Sequence, residues 1–396
     1  MIEVDRRRLL AFSGVAMLGA GATRALAHDG EHNGDGEGPV PGILAETGAP
    51  AMTGGVVTAK GLIHSHTAGL RRNNGTDKVT ADDLWHLGSN TKAMTAALYG
   101  RLVDKGRARW GATLPELFPD LTLDPAWAKT TVEQLMGHRA GVEERSLIAG
   151  GWLMQAHKDT RPIREQRANV AKLILGKPPA GQPGVFAYAN FNYVIVGAAI
   201  ERIVKADWED AIKTDLFRPL GITTAGYGAP TGAQPWGHRP ARTGPQTLPL
   251  ELVAVDPAGF GDNPAALGPA GRVHISLKDY AKFVRLFLTK GDGVLKPATV
   301  EKLSTPVPGE GQAYALGWGV IAGNTAAGGP MLSHDGSNTL WHASTLIAPA
   351  RGVALIGISN GPPQTTATKR FVKHLQDEFL GTQARVWPSN TVGEGA

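Results

Sequence analysis

The 396-residue chain contains no cysteine. That excludes disulfide bridges, thiolate metal sites, a cysteine nucleophile and a lipid-modified cysteine anchor. Charge of one sign is also scarce: 40 Lys and Arg stand against 35 Asp and Glu, a net +5. No basic run with interleaved aromatics occurs, so no nucleic-acid partner is expected. Long apolar runs are missing as well. The stretch from Leu9 to about Ala22 is shorter than the roughly 20 residues that a bilayer-spanning helix needs. No repeat is visible. Hydrophobic residues at 42% and charged residues at 19% place the chain among folded globular proteins rather than disordered ones. The length suits one large domain, or two intimately packed ones, with ample core.

What is present begins with an address. "DRRRLLAFSGVAMLGAGATRALA" has paired arginines, a short apolar stretch and a small-x-small end at Ala25-Leu26-Ala27. Arg6-Arg7-x-Leu9-Leu10 resembles the twin-arginine export signal, with a retained amphipathic anchor as the alternative. Cleavage after Ala27 gives a periplasmic or secreted protein without a stable membrane span. Its charge is about +3, because the leader's four arginines outnumber its two acids by two. Residues 28–42, "HDGEHNGDGEGPVPG", are rich in Gly, Pro and acids and lack an apolar face, which reads as a flexible tether. His28 and His32 are expected to be solvated there, and no metal or cofactor is expected anywhere in the chain.

The domain is expected over 43–385. "MTGGVVTAKGLIHSHTAGLRR" reads as two strands around Ala59-Lys60-Gly61. His64 and His66 alternate onto one strand face, but no further ligand stands at metal spacing, so they read as strand surface. "SNTKAMTAALYGRLVDK" places Met94, Leu98 and Leu102 four apart, one helical stripe. Residues 110–225 are mostly helical, and 226–270 are Gly- and Pro-rich loops with short strands. "SLKDYAKFVRLFLTKG" is an amphipathic helix. "YALGWGVIAG", "STLIAPA" and "GVALIGISN" run like strands, before a last helix at about Thr366–Leu380. Strands at both ends with helices between predict an α+β fold: a mainly antiparallel sheet from about 50–88 and 265–380, flanked by helices. A helical part over about 89–264 is inserted, leaving a cleft between sheet and helices.

Ser89 opens a helix and Lys92 stands three residues on, so both side chains lie on one face within reach of each other. A serine hydroxyl needs such a partner to lose its proton, and a helix N-terminus supplies N–H donors for a developing oxyanion. Further on come Tyr188-Ala189-Asn190 and then His334-Asp335-Gly336, the second copy of a tripeptide that also occurs at 28–30.

A serine, a tyrosine and a glycine-bearing strand in this order resemble the serine β-lactamase and penicillin-binding-protein superfamily, in its class C-like branch. That branch includes D-aminopeptidases and carboxylesterases. Flanking phrases support the resemblance from about Thr53 to Leu380: "TVEQLMGHRAGV", "FRPLGI", "GPAGRVHISLKDYAKF" and "YALGWG". It implies a β-lactamase/DD-peptidase-like fold and a leading helix shortened to about Ile43–Thr47. Ser89 is then the nucleophile, Lys92 its hydrogen-bonded partner, and Tyr188 the base and later proton donor. Asn190 orients the substrate, and the backbone N–H groups of Ser89 and Ser337 form the oxyanion hole. Lys92⁺ beside Tyr188 is expected to favour tyrosinate. His334 stands where true β-lactamases carry a lysine, and Gly336 lets substrate lie along the strand edge. A mostly neutral His334 lacks the lysine's charge for a β-lactam carboxylate. An esterase or D-amino-acid amidase is therefore expected ahead of an efficient β-lactamase, its partner a small-molecule or peptide substrate. The alternative is a catalytically silent binder of peptides or β-lactams on the same fold. Gly357-Ile358-Ser359-Asn360-Gly361 matches a nucleophile elbow, but Pro362-Pro363 follow and no acid-then-His order does, so it reads as a strand end.

Overall fold

The computed structural model describes residues 32–35, 38–323 and 326–381. The export signal and the first His-Asp-Gly lie outside the described residues. Three strands come from the start of the chain: β1 (His32–Asp35), β2 (Ala51–Thr58) and β3 (Gly61–Gly69). Five short ones follow: β4 (Leu84–His86), β5 (Gly226–Tyr227), β6 (His238–Pro240), β7 (Leu252–Ala254) and β8 (Val273–Ser276). Four close the series: β9 (Gly319–Ile321), β10 (Met331–Ser337), β11 (His342–Ala348) and β12 (Val353–Ser359). The main sheet has the order β1-β3-β2-β12-β11-β10-β9, so both ends of the chain build it. Every pairing is antiparallel except β1 with β3. The expected α+β architecture is the one observed.

Alternation along the strands divides the core. On β12, Val353 and Leu355 enter one apolar cluster, while Ala354, Ile356 and Ile358 enter another on the opposite face. This is the two-residue period of a pleated strand buried on both faces. The first face is covered by the helices Val40–Thr47 and Ala367–Phe379, through Val40, Ile43, Phe371 and Leu375. The helix Leu277–Arg285 packs on the second face, with Tyr280, Phe283 and Val284 buried.

Four details depart from expectation. Residues 32–35 are not tether: they pair with the edge of β3, because backbone pairing needs no apolar face. The leading helix starts at Val40 rather than Ile43, with proline in its first turn presetting the backbone. The helix Thr91–Asp104 is buried on nearly every side rather than along one stripe: Ala93, Ala96 and Ala97 are buried too, and a Cβ on Gly100 would stand 2.7 Å from Thr299. Finally, β8 pairs with β4 and β5 in a separate sheet, and 265–304 is largely helical, so the main sheet resumes only at Gly319. His64 and His66 face helix residues, with rings 6.0 Å from Phe379 and Phe371. The elbow-like Ser359 is fully buried at the end of β12, its Oγ donating to the Ala51 carbonyl at 3.0 Å.

Candidate active site

A cleft of about 950 Å³ opens between the sheet and the helices, with Ser89, Tyr188, Asn190 and the His334–Ser337 stretch of β10 in its walls. Ser89 lies in a single helical turn, Gly88–Asn90, that leads into the helix Thr91–Asp104. Lys92, one turn on, is fully buried. Its Nζ donates to Ser89 Oγ at 2.9 Å, Asn190 Oδ1 at 2.8 Å and the Ala270 carbonyl at 2.8 Å. Three acceptors match the three protons of an ammonium. Burial disfavours that charge and brings Lys92 down to about 7, against the opposing pull of Glu144.

Tyr188 lies beside the same amine, with Lys92 Nζ 4.8 Å from its ring centroid. Burial pushes the phenol up, opposed by the Ser89 hydroxyl. Burial therefore works against the tyrosinate expected from the sequence, raising the phenol while it lowers the amine. Asn190 does more than expected. Its Oδ1 serves Lys92 and one proton of its Nδ2 goes to Glu144 Oε1 at 3.0 Å, so its amide also holds the lysine, a role the sequence did not suggest.

The two oxyanion candidates meet. A Cβ on Gly88, whose φ is +51°, would stand 2.2 Å from Ser337 N; one on Gly336 would stand 2.1 Å from Leu87 O and 2.8 Å from Ser89 N. Gly336 therefore permits the close approach of β10 to the Ser89 turn, and it also lines the cleft. The Ser337 side chain is occupied, donating to Trp341 O at 2.6 Å and accepting from Thr339 N at 2.8 Å.

His334 is buried. Its Nδ1 lies 2.6 Å from the Asp335 carbonyl, which requires the proton on Nδ1, so Nε2 accepts from the Tyr314 hydroxyl at 2.8 Å. Burial, with the Lys92 charge, lowers it to about 4, so it is neutral at pH 7. Asp335 points the other way, accepting from Ser344 Oγ at 2.6 Å and facing Lys369 at 3.6 Å.

Sequence reasoning missed three residues. Glu144 accepts from Asn190 Nδ2 and, at 2.9 Å, from Phe191 N, and burial raises its carboxyl. His138 stacks on Tyr188 with centroids 4.3 Å apart, while its Nδ1 accepts from Ala189 N at 3.3 Å and Asn192 Nδ2 at 3.0 Å. Tyr314 holds His334. All three adjoin or lie within the flanking phrases "TVEQLMGHRAGV" and "YALGWG", the one signal that pointed toward them.

The Beta-lactamase family model matches residues 39–377. Penicillin-binding protein 4 of Amycolatopsis lactamdurans is 27% identical over 353 residues, covering 83% of this chain and 85% of its own. An unguisins hydrolase of Aspergillus campestris is 26% identical over 325 residues, covering 76% of this chain; the chain spans 57% of that relative's length. Among solved structures, a D-stereospecific amidohydrolase from Streptomyces sp. superposes with a TM-score of 0.66 at 20% identity, over 87% of this chain and 97% of that one. At that identity the likeness concerns the fold.

Proposed function

The chain belongs to the Beta-lactamase family, and from that premise we propose that it is an exported hydrolase working through an acyl-enzyme on Ser89. It is a serine hydrolase of that family; the residue roles, the substrate and the export are the proposal. The observation that carries it is the contact of Ser89 Oγ with a buried lysine lowered to about 7. When Lys92 is neutral, Asn190 Oδ1 and Ala270 O take its two N–H groups, and the lone pair is left for the Ser89 proton. Ser89 Oγ then bonds to the substrate carbonyl carbon, and the oxygen charge falls on the N–H groups of Ser89 and Ser337. Tyr188, held protonated, gives its proton to the leaving alcohol or amine as the carbon–heteroatom bond breaks, and Lys92⁺ replaces it. Water then repeats the sequence on the ester of Ser89.

Esters and D-amino-acid amides are the proposed substrates. A neutral His334 offers no charge for a β-lactam carboxylate, which supports setting efficient β-lactam hydrolysis aside. The D-stereospecific amidohydrolase of the same fold supports trying D-amino-acid amides. The silent-binder alternative has no support in the site, where nucleophile, amine and phenol are all present and in contact. A panel of p-nitrophenyl esters, D-amino-acid anilides and a chromogenic cephalosporin tests the reading. Turnover of an ester or D-anilide with the cephalosporin lagging is expected; cephalosporin as best substrate overturns the substrate assignment. Export through the twin-arginine route is tested by replacing Arg6 and Arg7 with Lys, which is expected to strand the protein in the cytoplasm; unchanged export contradicts it.

A further inference from the structure

We propose that Asp262 is a positioning residue for catalysis, whose buried carboxylate ties together the two backbone segments that carry the oxyanion N–H groups. The inference rests on the Ser89 reading above. Asp262 does not line the cleft. Its side chain is 5% exposed, and its Oδ2 accepts from His86 Nε2 and from Arg272 Nε, each at 3.1 Å. Its Oδ1 accepts from Asn338 Nδ2 at 2.8 Å. His86 is fully buried, and its Nδ1 accepts from Gly88 N at 3.1 Å. That contact settles the tautomer: Nε2 carries the proton and gives it to Asp262.

Each arm ends one residue from an oxyanion nitrogen. The His86 arm holds Gly88, which precedes Ser89. The Asn338 arm follows Ser337, and its Oδ1 accepts from Leu340 N and Trp341 N, both at 3.2 Å, which pins the turn after β10. The Trp341 ring then lies against the His86 ring, with centroids 5.5 Å apart, so the two arms also pack on each other. The segment after β10 carries a strained backbone, Thr339 at φ +76°, that its surroundings must hold. Oxyanion donors help only if their separation is fixed before charge develops. A buried carboxylate with charge-assisted bonds to both sides is a stiff way to fix it. Burial alone would raise this carboxyl, but His86, Arg272 and Asn338 override it and hold it at about 2, so the clamp stays ionised.

The test uses the full chain with p-nitrophenyl butyrate, reading kcat and KM separately and the thermal midpoint in parallel. Asp262→Asn is expected to lower kcat about 10²-fold, the cost of an impaired oxyanion donor, with KM within about threefold. His86→Asn keeps an acceptor for Gly88 N but loses the donor to Asp262, and His86→Gln does the reverse. Each is expected to lose kcat by the same order. The His86→Gln/Asp262→Asn pair should lose no more than about threefold beyond either single variant, because the links form one chain. Arg272→Met removes a partner of the same carboxylate but leaves its bonds to both oxyanion segments in place, so its kcat loss should be clearly smaller than that of Asp262→Asn even where the thermal midpoint falls as far. Should Asp262→Asn not fold, the two His86 variants decide by the same criteria. The clamp is overturned if kcat stays within about threefold of the parent in Asp262→Asn or in both His86 variants, if the losses multiply, or if Arg272→Met loses as much as Asp262→Asn. An inactive Ser89→Ala beside an unimpaired Asp262→Asn refutes only the clamp, whereas a fully active Ser89→Ala removes the reading beneath it.

Discussion

The Nζ of Lys92 lies 2.9 Å from the Oγ of Ser89, and that amine is fully buried. Burial brings it to about 7, so its two protonation states are both populated near neutrality. Acylation needs the neutral amine as proton acceptor. The kcat/KM of the hydrolysis is therefore expected to rise with pH through a single ionisation near 7 and to level off above it. A rate that falls over pH 6–8 contradicts the assignment of Lys92 as the base.

Glu144 pulls Lys92 upward through its charge. Glu144→Gln keeps an acceptor for Phe191 N and removes the charge, so the Lys92 ionisation moves down. The acidic limb of the pH–rate profile should shift to lower pH while the plateau stays within about tenfold of the parent. A shift to higher pH would contradict this sign.

Tyr188 is held protonated and faces the Ser89 hydroxyl. Tyr188→Phe is expected to cost about 10²–10⁴-fold on an amide, whose amine must leave protonated. The loss on a p-nitrophenyl ester should be smaller, because p-nitrophenolate leaves without a proton. Equal losses on both substrates would argue against Tyr188 as the proton donor to the leaving group.

Gly336→Ala would drive a Cβ to 2.1 Å from Leu87 O and 2.8 Å from Ser89 N. The strand and the Ser89 turn must separate. We expect a kcat loss of at least about tenfold and destabilisation of about 1–3 kcal/mol, read from turnover and denaturant unfolding.

His334→Lys replaces a neutral ring with a cation in the cleft wall. Hydrolysis of a chromogenic cephalosporin relative to a p-nitrophenyl ester should rise. An unchanged ratio would show that charge at this strand position does not set the preference.

The parts legible in the sequence were those with local or periodic signals. The Ser89–Lys92 contact follows from helical spacing, and β2, β3, β11, β12 and the final helix follow from alternation and turn residues. Tyr188 and the His334–Ser337 strand were placed through the resemblance and its ordered motifs. What stayed hidden depends on distant pairs. Glu144 meets Asn190 across 46 residues and His138 meets Asn192 across 54, and neither pair has a periodic trace. The part Asn190 plays in holding Lys92 was hidden for the same reason: only the fold shows its amide between Lys92 and Glu144. Residues 32–35 were misread because a strand added to a sheet edge draws on backbone groups, which composition does not report.

The central claim is that Ser89 carries the acyl group. Protein quenched in acid during turnover of a slow ester, then digested and weighed peptide by peptide, tests it most directly. The account predicts that the peptide containing Ser89 gains the mass of the acyl group, and that Ser89→Ala shows neither this gain nor turnover. An acyl group on another residue, or full turnover by Ser89→Ala, would contradict it.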